Sequence, residues 1–170
     1  MRVLGIDYGE RRIGLAVSDA SGTLARPLAT VPGHGDLRTA VRGVLRALAE
    51  FEQADERIEM VVVGLPKRLD GSANDQTVRA QAFATMLARQ SERPVVLQDE
   101  RLTSYEADTL LAVRERDWRV RKRKLDAAAA AVILQEFLDI RGQPGIGRHE
   151  SAAASQEPGD GADAPDVGSQ

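Results

Sequence analysis

The period of apolar and polar positions changes twice along the chain. Val3 to Ile6 is a short apolar run, Tyr8-Gly9-Glu10-Arg11 has turn composition, and Arg12 to Ser18 alternates, so the opening residues predict a β-hairpin. A third strand is expected from Leu24 to Val31, with Pro27 marking an edge or a bulge. The period then becomes helical. Asp36 can cap a helix whose apolar positions are Leu37, Val41, Val44, Leu45, Leu48 and Phe51. Ile58 to Val63 is continuously apolar, as in a strand buried on both faces. A second helix opens at Ser72 or Asn74, with Val78, Ala82, Met86 and Leu87 on one face, and Val95-Val96-Leu97 is a second buried strand. Thr103-Ser104-Tyr105-Glu106 is a capping box for a further helix, and a closing helix is expected from about Leu125 to Ile140.

Three strands followed by alternating helices and strands (β-β-β-α-β-α-β-α) predict an α/β protein with a mixed five-stranded sheet flanked by helices. The ribonuclease H-like fold is the first choice for that order. Composition narrows the chemistry. There is no Cys, and both His residues, His34 and His149, lie in Gly-rich surroundings, so any metal would be held by oxygen. No apolar run is long enough to cross a membrane and the N-terminus reads as a strand, which makes a cytoplasmic location the expectation.

The net charge of −3 has to be divided by segment. The 29 residues 142–170 hold one base and five acids, six Gly and three Pro, and almost no large apolar side chain. Such a segment cannot bury enough surface to offset the entropy of ordering it. The expected organisation is therefore one domain over residues 1–141, of charge near +1, and a disordered acidic tail over 142–170.

Three acids stand at the ends of different elements. Asp7 ends the first strand, at the carboxyl edge where open α/β sheets place their chemistry, although an Asp there can also serve only its own turn. Asp99-Glu100 follows the strand Val95 to Leu97 and could alternatively favour the positive end of the next helix. Asp126 is expected in the first turn of the closing helix, in line with Ala130, Ile133 and Phe137. A carboxylate on such a stripe is costly unless a cation meets it, or unless it is a plain N-terminal acid. Together the three positions could bring oxygen ligands to one point for Mg²⁺ or Mn²⁺, ions that activate water and stabilise the leaving oxygen of a phosphodiester.

Residues 114–124 carry seven bases and two acids, directly before Asp126. A charge run is often only a solvated loop, but next to an acidic site Arg119, Arg121, Lys122, Arg123 and Lys124 are candidates for phosphate contact, with Arg101, Lys67 and Arg68 extending the same surface. The acidic overall balance thus conceals a basic region suited to nucleic acid.

Several blocks taken in order resemble one family: Leu4-Gly5-Ile6-Asp7-Tyr8-Gly9, Arg12-Ile13-Gly14-Leu15-Ala16-Val17-Ser18-Asp19, Val63-Gly64-Leu65-Pro66 with Asp70-Gly71, Asp99-Glu100-Arg101-Leu102-Thr103-Ser104, and Lys124-Leu125-Asp126 leading to Gln135. This is the YqgF family, also called RuvX-type Holliday junction resolvases or pre-16S ribosomal RNA nucleases, and the resemblance covers roughly residues 2 to 140. It implies a ribonuclease H-like fold, a metal-dependent nuclease with Asp7, Glu100 and Asp126 as its acidic positions, and a link to 5′-end maturation of 16S ribosomal RNA. The implied partners are pre-ribosomal RNA or branched DNA and the ribosome, with the chain a monomer or homodimer. This sequence is more basic before Asp126 than the family pattern.

Two other classes remain in view. Asp-Tyr-Gly-x-x-x-Ile-Gly also resembles the phosphate hairpin of actin-like ATPases and sugar kinases, but those use two lobes and the chain has room for one. A non-catalytic RNA or ribosome binder could keep the fold, yet would not need the full acidic set.

Overall fold

The computed structural model describes residues 1–54, 57–68, 70–100 and 118–142, with residues 100 and 118–124 described by their backbone alone. The elements are β1 (Arg2–Tyr8), β2 (Arg12–Ser18), β3 (Ala25–Pro32), α1 (Leu37–Ala54), β4 (Ile58–Pro66), α2 (Asp75–Ser91), β5 (Val95–Glu100) and α3 (Trp118–Gly142). The five strands form one sheet in the order β3-β2-β1-β4-β5. β1, β2 and β3 pair antiparallel, whereas β4 and β5 run parallel to β1, which is the mixed ribonuclease H-like sheet expected from the element order.

Strand alternation divides the core in two. Leu4 and Ile6 of β1 with Ile13, Leu15 and Val17 of β2 face α1 and α2, where they pack on Val41, Val44, Phe83 and Leu87. Tyr8 stacks on Phe83 with ring centroids 4.6 Å apart, which ties the end of β1 to α2. Val3, Ala16, Val62 and Val96 face the other way and are covered by Ala130, Ile133, Leu134 and Phe137 of α3. Gly5 and Gly14 lie on this second face, and a Cβ at either would collide with α3, so the helix approaches the sheet through two missing side chains.

Local signals explain the helix starts. Asp36 accepts from Thr39 N at 2.7 Å and begins α1, while Asn74 accepts from Thr77 N at 2.9 Å in a capping box that begins α2. β3 is an edge strand, where Pro27 is tolerated, and its register slips opposite Leu15 and Ala16.

Three expectations are corrected. α3 begins at Trp118, not near Leu125, because the basic run contains neither Gly nor Pro and its straight Arg and Lys side chains favour helix. Asp126 is therefore inside the helix and not in its first turn. On α2 the buried positions are Thr77, Ala80, Phe83, Ala84 and Leu87, and Val78 is 60% exposed. Packing against the sheet selects that face, with Phe83 fully buried against Tyr8. The helix expected at Thr103 and the 143–170 part of the tail lie outside the described residues. Among the described residues no helix is long and apolar enough to cross a membrane.

Candidate active site

The carboxyl ends of β1, β4 and β5 meet at one edge of the sheet, the edge at which β2 begins. Asp7 is the penultimate residue of β1, on the face of Val3 and Gly5 that α3 covers. Its partner across the antiparallel ladder is Gly14. A Cβ on Gly14 would overlap the carbonyl of Asp126 and stand 3.1 Å from Ala127 N, so the α3 backbone rests directly on that glycine. The missing side chain is what lets Asp126 settle beside Asp7.

Arg12 lies two residues before Gly14, on the same face of β2. Its Nε stands 2.7 Å from Asp126 Oδ2, with the two side chains 30% and 26% exposed. The contact is one of charge and not an aligned hydrogen bond. Both atoms are enclosed, and neither has a hydrogen-bond partner among the described residues. The cation that the apolar stripe demands at Asp126 is therefore Arg12, which the sequence alone does not single out. A signal for it exists: Arg12 opens the second motif block, and the period of two from Gly14 places it on the α3 side.

Asp7 feels the opposite environment. Burial removes water from its carboxylate and the negative charge of Asp126 adds to the effect, which together push its pKa from the ordinary 3.8 up to about 6. Desolvated carboxylates next to a second acid at a sheet edge are characteristic of functional sites.

Glu100 closes β5 in register with Pro66, at the same edge. Arg101 lies outside the described residues. Lys67 Nζ is 3.1 Å from Asp99 Oδ2, so its charge is matched locally. Arg68 is exposed in a turn in which its N–H donates to Ser72 O and its own carbonyl accepts from Gly71 N. Arg119, Arg121, Lys122, Arg123 and Lys124 occupy the first turns of α3, on the helix that carries Asp126. Asp19, an acid of the second motif block, sits at the opposite end of β2. It accepts from Thr23 N and Leu24 N, and these bonds hold its carboxyl well below the usual range, so it serves its turn.

The donor set suits a hard divalent cation. Asp126 Oδ2 is enclosed without a hydrogen bond, Asp7 lies next to it with its charge poorly solvated, and both offer oxygen, the ligand that Mg²⁺ and Mn²⁺ require. Among the residues whose side chains are described, no third acid or imidazole joins these two.

Comparison with known proteins finds relatives over most of the chain. The family model described as "RuvX: Holliday junction resolvase" matches residues 1–140. A protein of Koribacter versatilis is 42% identical over 141 residues, covering 83% of this chain and 88% of that protein. One of Chloroflexus aggregans is 40% identical over 146 residues, covering 84% and 96%. One of Pelotomaculum thermopropionicum is 36% identical over 144 residues, covering 85% and 90%. All three carry the name "Putative pre-16S rRNA nuclease". Among solved structures, Thermus thermophilus RuvC in complex with a Holliday junction substrate matches with 19% identity and a TM-score of 0.46, covering 84% of this chain and 96% of that one.

Proposed function

The chain belongs to the RuvX family, and from that premise we propose that it is a divalent-cation-dependent nuclease that hydrolyses phosphodiester bonds in pre-16S ribosomal RNA during 5′-end maturation in the cytoplasm. The observation that carries this reading is the enclosed carboxylate pair Asp7 and Asp126 at the carboxyl edge of the sheet. Glu100, at the end of β5 on the same edge, is assigned as the third acid.

Asp7, Asp126 and Glu100 would hold the cation, Mg²⁺ or Mn²⁺, which when bound supplies charge to activate water and to stabilise the leaving oxygen. The protein's own contribution is preorganisation. β1 and α3 carry the two carboxylates, and the packing of α3 on Gly5 and Gly14 brings Asp126 beside a desolvated Asp7. The bases Arg119, Arg121, Lys122, Arg123 and Lys124 at the start of the same helix, together with Arg68 and Arg101, would place the phosphate backbone. Such contacts fix the position of a strand without reading its sequence.

The family description favours a second substrate, a four-way DNA junction, whose symmetric cutting would call for a homodimer; the RNA reading is compatible with a monomer acting at the ribosome. The test is cleavage of a pre-16S 5′ segment and of a DNA junction over a titration of Mg²⁺ and Mn²⁺, beside an Asp7→Asn preparation purified identically. RNA cleavage that disappears in Asp7→Asn is the expected outcome. Equal cleavage by the variant removes the catalytic assignment, and junction cleavage alone moves the substrate to DNA.

A further inference from the structure

Arg12 is placed where a cation is needed, and its contact has an unusual form. A guanidinium that orients a carboxylate normally does so through aligned, often bidentate N–H donation. Here Arg12 Nε lies 2.7 Å from Asp126 Oδ2 with its N–H not aimed at the oxygen, and neither atom makes another hydrogen bond among the described residues. The contact is that of a positive charge resting against an oxygen, the kind a spherical ion also makes. Asp7, on the neighbouring strand, keeps its carboxylate poorly solvated on the same side of the sheet.

Resting on the reading of Asp7 and Asp126 as a cation site, we infer that Arg12 is an internal counter-ion that occupies the place of the divalent cation beside Asp126 and must leave it for the cation to bind. The guanidinium offsets the charge of Asp126, the carboxylate that crowds Asp7, and so stands in for a cation there. A divalent cation beside Asp126 would be repelled by a guanidinium still in contact with Oδ2. Loading therefore exchanges one positive group for another, and the affinity measured for the cation is reduced by the work of displacing Arg12.

The test is Mn²⁺ binding to the full chain by calorimetry, for the wild type, Arg12→Gln and Arg12→Lys, with thermal melts as a check on folding. Arg12→Gln is expected to bind Mn²⁺ about tenfold more tightly than the wild type, and Arg12→Lys, which keeps the charge, about as the wild type does. Equal or weaker binding by Arg12→Gln overturns the inference, because an arginine that helps to build the site would lose affinity on removal. A second measurement needs no variant: the Nε–Hε NMR signal of Arg12 should move as Mg²⁺ is added to the wild type, and a signal that stays in place overturns the inference as well. Asp126→Asn separates the cation site from the role of Arg12. If it leaves Mn²⁺ affinity unchanged, the carboxylate site itself is wrong and the inference falls with it; if it abolishes binding while Arg12→Gln does not strengthen it, only the role of Arg12 falls.

Discussion

Replacing Gly14 by Ala adds a single methyl group at the point where the sheet and α3 touch. That methyl would overlap the carbonyl oxygen and carbon of Asp126 and press on Ala127 N at 3.1 Å. The obstacle is helix backbone, which cannot rotate aside, so α3 must move as a body. Overpacking of this kind costs about 1–3 kcal/mol, and a backbone obstacle places Gly14→Ala near about 3 kcal/mol. At Gly5 the added Cβ would stand 2.7 Å from Leu134 Cβ and 3.0 Å from Ala130 O, a deficit of roughly 0.8 Å against ordinary carbon contact near 3.5 Å, for a cost of about 1–2 kcal/mol. Gly43, inside α1, is the internal control. A Cβ there meets nothing within 4 Å, and Ala is the better helix former, so Gly43→Ala should stabilise by about 0.5–1 kcal/mol. The assay is urea unfolding of the three variants. With a slope of about 1–3 kcal/mol/M, Gly14→Ala should lower the midpoint by about 1–3 M and Gly5→Ala by less, while Gly43→Ala raises it. The order is the decisive feature. If Gly14→Ala unfolds at the wild-type midpoint, α3 does not rest on β2 there, and the packing account of the closeness of Asp126 and Asp7 is wrong.

Three further outcomes are expected. The Asp7 pKa is higher in the folded chain, about 6, than its ordinary 3.8, so the folded state binds the proton more tightly. In the absence of divalent cations its contribution to stability should fall as pH rises from about 4 to 6, by up to about 3 kcal/mol, and Asp7→Asn should be more stable than wild type at pH 7 while losing cleavage. Unfolding curves across that range in chelator would show it, and a variant less stable than wild type at pH 7 would count against the burial argument. Neutralising Arg121, Lys122, Arg123 and Lys124 should flatten the salt dependence of nucleic acid binding by about 0.7–0.9 in slope for each phosphate that the helix then leaves unneutralised, whereas Lys67→Ala should change it little because Asp99 already matches that charge. Truncation after Gly142, the last residue of α3, should leave the melting temperature and nucleic acid affinity unchanged; a marked loss of stability would show that the acidic segment packs on the domain.

The residue pattern alone determined the order of the described strands and helices, the hairpin through Gly9 and the cap at Asp36, and it narrowed the start of α2 to Ser72 or Asn74 and the strand with Pro27 to an edge or a bulge. Each depends on neighbours a few residues away, through backbone sterics, the alternation of side chains or a local hydrogen bond. The candidate acids were legible for the same reason, since Asp7 and Glu100 end strands and Asp126 interrupts an apolar stripe. Helix phase was less secure: Val78 and Phe83 both fit a helical period, and only burial against the sheet chose Phe83. The start of α3 was hidden because a dense charge run reads as loop until its backbone is seen to be helical.

What only the tertiary structure decided is the meeting of distant residues at the site. That Arg12, and not the bases next to Asp126 in sequence, lies against its carboxylate follows from the register of β2 on β1 and from the seat of α3 on Gly14. That Asp19, in the same motif block as Arg12, serves a turn at the far end follows from the length of β2. Electrostatic and steric effects act across a few ångströms of space, and separation along the chain does not fix that distance until the sheet has set its register and the helix has found its place on it.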